Sequence, residues 1–188
     1  MAELLLIDGV KLEKGIRLPD VKAYAGDVVW VETENALYTD IFVGLLLGLI
    51  HPKKGRFKFI TSDVSYCDVS EWTPGLKKAL SLCKAYSYSL SNFKRLLSGA
   101  NADYVLDMDV KDMAKSTKVL VSWAISLSTP SLNIILNDPF YGLDKKASAF
   151  LSTEIEGVAK DGSLVIILSP DRPAVFSQQV RFTMGGKK

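Results

Sequence analysis

An apolar run that stops on two polar residues and a proline constrains this chain more than any other stretch. Asn133-Ile134-Ile135-Leu136-Asn137-Asp138-Pro139 is followed at once by Phe140-Tyr141-Gly142-Leu143-Asp144. A short apolar stretch bounded by turn residues predicts a buried central strand. Polar groups at the C-terminal end of such a strand face the crevice where open α/β sheets bind ligands. Ser163 to Ser169 predicts a second buried strand of the same kind, ending at Pro170-Asp171.

The rest of the chain supplies partners for such a sheet. Leu4 to Ile7 reads as a strand and Asp8-Gly9 as a turn, while Arg17 to Tyr24 and Val28 to Val31 read as two more strands broken by Ala25-Gly26-Asp27. Early hairpins of this kind predict a small antiparallel sheet at the N-terminus, closed by Arg56 to Ile60. The apolar run Ile41 to Ile50 is too short to span a bilayer and carries Gly44 and Gly48, so it reads as a buried helix from about Thr39 to Ile50. Further helices are expected at Leu76 to Tyr86 after Pro74, at Asn92 to Leu97 stopped by Gly99, and at Lys118 to Leu127. With 188 residues the chain is one domain with a real core. Its net charge of +2, with no basic block, argues against a nucleic-acid partner. Cys67 and Cys83 lack metal-ligand or redox spacing, so a cytosolic protein with reduced thiols is the simplest expectation.

Taken together, the landmarks resemble the ATPase domains of ABC transporters. Their Walker B strand and D-loop run apolar residues, Asp-Glu-Pro, two variable residues and Gly-Leu-Asp; Pro139 and Gly142-Leu143-Asp144 match here. Upstream, Gly26-Asp27, the strand at Val28, a loop from Glu32 to Tyr38, the helix, Gly48-Leu49 and Pro52-Lys53-Lys54-Gly55 follow the family spacing without a gap. Ala114-Lys115-Ser116-Thr117 falls where the family has its signature, and Gln179 to Met184 with Gly185 resembles the final hairpin strand. The resemblance implies a P-loop NTPase fold over residues 1–188: a mixed central sheet flanked by helices, a small N-terminal antiparallel sheet, and a reduced helical subdomain over 61–118.

The same alignment implies that the chemistry is eroded. A phosphate loop works because glycines let backbone N–H groups wrap the phosphates, a lysine reaches the outer phosphates, and a hydroxyl ligates magnesium. Here the loop glycines become Thr33, Ala36 and Tyr38, the lysine becomes Thr39, and the hydroxyl residues become Asp40 and Ile41; Asn35 alone is kept. Asn137 stands at the magnesium-side carboxylate, Asp138 at the catalytic glutamate and Pro170 at the switch histidine, and no Q-loop glutamine is present. A neutral amide is a poor partner for a hard cation. Asp138 can be read as a shortened general base or as a buried carboxylate tied to nearby backbone, and the second reading is favoured. Asp40 can be read as an internal anion that caps the helix where a phosphate would sit, or as an ordinary cap on an unrelated turn.

Losing the lysine and a magnesium-mediated contact removes roughly 4 kcal/mol, about a thousandfold in affinity. No cofactor is therefore expected, with ATP and magnesium bound at most weakly, and no metal site is expected. The function implied is a catalytically degenerate ABC-like subunit that pairs with a sister subunit or a second copy through Gly142, Leu143 and Asp144, and with a membrane permease. Such a subunit is cytoplasmic, with peripheral attachment at the inner face of the membrane. A weak but working ATPase and a soluble interaction module are the alternatives.

Overall fold

A computed structural model describes residues 2–13, 16–33, 36–67 and 89–181. Among the described residues, two sheets and four α-helices make up the framework. Strands β1 (Glu3–Lys11), β2 (Val21–Tyr24) and β4 (Lys54–Phe59) form a small antiparallel sheet in the order β2-β1-β4. Strands β3 (Val28–Glu32), β5 (Val64–Tyr66), β6 (Asn133–Asn137), β7 (Leu164–Ser169) and β8 (Gln178–Arg181) form the larger one, in the order β5-β6-β7-β3-β8. Every pairing in the larger sheet is parallel. Among the described residues the antiparallel pairings lie in the small sheet.

The two strands predicted from apolar runs are where the sequence puts them. Their near-continuous hydrophobic character follows from burial on both faces. Ile134, Leu136, Val165 and Ile167 face a core shared with α2 (Leu90–Gly99), α3 (Lys115–Ser128) and α4 (Lys145–Lys160). Ile135, Ile166 and Leu168 face the opposite way, toward α1 (Ala36–Leu46) and the small sheet. The sheet thus lies between two helical or mixed layers, and its residues alternate between them as the pleat demands.

Several expectations shift. Asp8-Gly9 is not a turn: β1 runs through it, with an irregularity beyond Asp8 and Gly9 at φ +60°. Gly55 explains that irregularity, because a Cβ there would lie 2.5 Å from the Gly9 carbonyl, so β1 and β4 cross too closely for a side chain. Of Arg17 to Tyr24 only Val21–Tyr24 is strand, while Arg17 makes a single bridge to Lys11. β3 belongs to the parallel sheet rather than to the hairpins. β8 also runs parallel to β3, so the expected final hairpin strand is not one over Gln178–Arg181.

Gly99 does not stop α2 but ends it from within. It lies under the Phe150 ring, and the left-handed residue is Asn101 at φ +55°. The 61–118 span supplies β5 to the large sheet, and its α2 residues Phe93, Leu96 and Leu97 join the common core. The helix expected at 76–86, Cys83, and the end of the last strand from residue 182 lie outside the described residues. Among the described residues no helix is long and apolar enough to cross a membrane.

Candidate functional site

Strands β6, β7 and β3 lie side by side, so their C-terminal ends form one edge. Asn137 pairs with Leu168, and Glu32 pairs with Ser169. The pairing continues one step past each strand: Asp138 N–H donates to Leu168 O at 2.7 Å, and Thr33 N–H to Ser169 O at 3.2 Å. This brings Thr33, Asn137, Asp138 and Pro170 to a single edge. It is also the kind of edge where parallel α/β sheets carry ligand sites.

At the end of β6 the chain turns sharply. Asp138 sits at φ +45°, a left-handed conformation that Asp tolerates better than most residues. Its carboxyl is half-buried, and burial pushes its pKa up; the Lys115 charge opposes that rise and Asp171 adds to it. Tyr141 N–H donates to Asp138 O at 3.0 Å, and Gly142 takes φ +69°. Asp144 then caps α4, its Oδ1 accepting from Ala147 N–H at 2.8 Å. The Gly-Leu-Asp element therefore has a structural task of its own, setting the start of a 16-residue helix.

Across the edge, Ser169 O accepts from Trp30 Nε1 at 3.2 Å, and Ser169 Oγ donates to Asp171 O at 2.6 Å. Pro170 is exposed and has no side chain able to exchange a proton. Glu32, at the end of β3, is taken up by Gln179 Nε2 at 2.8 Å and by Arg181 Nε.

The segment after β3 departs most from expectation. The helix was expected from about Thr39, but α1 begins at Ala36. Ala36 and Tyr38 are thus helical residues rather than loop, while Thr39, Asp40 and Ile41 are helical as expected. From Asp40 onward each backbone N–H faces a carbonyl one turn back, leaving only the first few for any anion. Thr39 is buried, and Tyr38 and Ile41 pack against the core beneath the small sheet. Asp40 is the fifth helical residue and is exposed. It lies past the position of a cap, so neither cap reading of Asp40 holds. Asn35 lies outside the described residues.

The signature-like residues also begin a helix earlier than expected. Ala114 precedes α3 and makes no side-chain cap bond, while Lys115, Ser116 and Thr117 form its first turn. This turn packs on the D-loop-like segment. A Cβ on Gly142 would stand 2.6 Å from Ser116 Cβ, and Lys115 Nζ lies 4.0 Å from the Tyr141 ring centre. Sequence reasoning missed Tyr141 as a partner of Lys115. The two are 26 positions apart, and nothing in periodicity or spacing pairs them. A polar recess of about 190 Å³ between Asn101, Tyr104, Ser116 and Asp144 adjoins the contact.

Among the described residues no group of three His, Cys, Asp or Glu side chains could hold a metal ion. Among the described residues, the cation whose charge acts on the Asp138 carboxyl is Lys115. The edge can therefore present one half-buried carboxyl, an amide and backbone groups to a ligand.

No family model and no curated protein matches the chain. Solved structures do. A protein assigned as the ATP-binding protein of an ABC transporter from Pyrococcus furiosus superposes with a TM-score of 0.77 at 15% identity, over 95% of this chain and 96% of that one. CbiO1 from Clostridium perfringens, part of the ABC transporter complex CbiONQ, gives 0.68 at 15%, over 98% and 88%. The archaeal ribosome recycling factor aABCE1, in complex with the ribosomal stalk protein aP1, gives 0.70 at 16%, over 96% of this chain and 38% of the other. The chain has the fold of ABC ATP-binding domains.

Proposed function

We propose that this chain is an ABC-type subunit that no longer hydrolyses ATP and acts as a structural or regulatory partner. One observation carries the reading: α1 starts at Ala36, so helix takes up Ala36 to Tyr38, the last part of the stretch that would have to wrap a phosphate. Thr39, buried at the lysine position, cannot reach an outer phosphate as a charge. Asn137 and Pro170 add a neutral amide and an inert ring where a metal-side carboxylate and a proton carrier are needed. The partners that fit are a sister ATP-binding subunit or a second copy meeting Gly142, Leu143 and Asp144, together with a membrane permease. With such partners the proposed location is the cytoplasm, at the inner face of a membrane. Two of the neighbours in fold are described as parts of ABC transporters and one as a ribosome recycling factor, so the fold by itself leaves the partner open.

One observation favours the rival, a weak but working ATPase. Asp138 keeps a carboxyl at the end of β6, and its raised pKa is what a general base gains from burial. Phosphate release by the purified chain with Mg-ATP separates the two. We expect none above background. Turnover that Asp138→Ala abolishes would establish the rival.

A further inference from the structure

The first turn of α3 ought to fray. Ala114 offers no side-chain cap, and no acidic residue stands in the first turn. Lys115, its first residue, brings a positive charge to the positive end of the helix dipole, the wrong sign for local stability. Yet the turn is formed, with Lys118 N–H donating to Ala114 O at 3.0 Å.

What holds it is the loop after β6. Gly142 lies so close under Ser116 that only a residue without a Cβ fits there unshifted. Beside it, Lys115 Nζ sits over the Tyr141 ring at 4.0 Å, within the range of a cation–π contact. The loop is braced in turn by Tyr141 N–H on Asp138 O and Leu143 N–H on Phe140 O. The Asp138 carboxyl feels the Lys115 charge, and Asp171 acts on the same carboxyl with the opposite sign.

We infer that Lys115, Tyr141 and the Ser116–Gly142 contact form a clasp that fastens the start of α3 to this chain's own 138–144 loop. The signature-like turn is thereby held in place by protein contacts alone, with no bound anion needed at its uncapped end. The two segments open together or not at all, so a partner that displaces the 138–144 loop also releases the α3 turn. The clasp is independent of whether the chain hydrolyses ATP.

The helix dipole gives the test its sign. If Lys115 acts only on its own helix, Lys115→Met removes an unfavourable charge and slows hydrogen exchange at Lys118 N–H. If Lys115 is clasped, the same substitution speeds exchange at Lys118 N–H and also at Tyr141 and Leu143 N–H. The expected acceleration is roughly two- to fivefold, the scale of an exposed cation–π contact. Tyr141→Ala should accelerate the same three amides, although it changes nothing in α3. Tyr141→Phe, which keeps the ring, and Lys115→Arg, which keeps the cation, should leave them near the unmodified rate. Exchange at Lys118 that slows or stays constant in Lys115→Met overturns the clasp. So does a Tyr141→Ala effect confined to the loop. Denaturant melts of each variant separate these local rates from a loss of global stability.

Discussion

Replacing Gly142 with alanine tests the contact between the β6 loop and α3 in two separable parts. The first part is conformational. Gly142 has φ +69°, and an L residue held in that left-handed region costs about 1–2 kcal/mol. The second part is steric. The new methyl would stand 2.6 Å from Ser116 Cβ, so Ser116 or the loop must move by about an ångström. Overpacking of this kind costs about 1–3 kcal/mol, and because Ser116 is only partly buried the low end applies. Gly142→Ala should therefore lose about 2–3 kcal/mol. For a chain of this size each kcal/mol shifts Tm by roughly 2–4 °C, giving a fall of roughly 4–12 °C. Ser116→Gly removes the steric part alone. A double-mutant cycle by urea denaturation should then show a coupling of about 1 kcal/mol between the two positions, with the conformational cost left over. A Gly142→Ala protein within 0.5 kcal/mol of the original, or additive single changes, would refute the packing argument.

Two further outcomes follow from the site. Asp40 is exposed and lies beyond the cap position, so Asp40→Ala should change stability by no more than about 0.5 kcal/mol; a loss near 1 kcal/mol in thermal melts would reinstate a capping role. Asp138 titrates above the ordinary aspartate range in the folded chain, chiefly through burial. Between its unfolded and folded pKa values the folded state then binds more protons, so this group's contribution to stability falls as pH rises through that window. Asp138→Asn lacks the ionisation, so its stability relative to the original should climb across the window and level off above it; parallel stability curves from pH 3 to 7 would contradict this.

The parts of the fold legible in the sequence are those set by local rules. β6 and β7 are apolar runs bounded by turn residues, and burial on both faces leaves few other readings for them. Helix ends are less legible. α1 and α3 both start about three residues before the expected points, because family spacing marks the end of a phosphate or signature loop while the residues here carry no glycine to keep that loop open. Ala36, Leu37 and Tyr38 are acceptable helix residues in any context that buries one side of them. Sheet membership was illegible for a different reason. Whether Val28–Glu32 pairs with its sequence neighbour or with Leu164–Ser169 depends on contacts far apart in sequence, which strand propensity cannot rank.

The site was legible as a list of positions but not as a set of contacts. The sequence places Thr33, Asn137, Asp138 and Pro170 at strand ends, and the parallel register brings those ends to one edge. What the residues do there depends on neighbours the sequence does not indicate. Asp144, expected to mark a pairing surface, caps α4, and Lys115, expected only as a signature variant, rests on Tyr141. Both assignments explain how Pro139 and Gly142-Leu143-Asp144 can persist without nucleotide chemistry. The proline and glycine set the turn, the aspartate starts a helix that buries Ala147, Leu151 and Ile155, and Gly142 admits Ser116. Those contacts give the element a role in folding that does not depend on nucleotide. An association assay at this loop therefore needs a stability control for each variant, because Leu143 packs against the core and Asp144 caps α4.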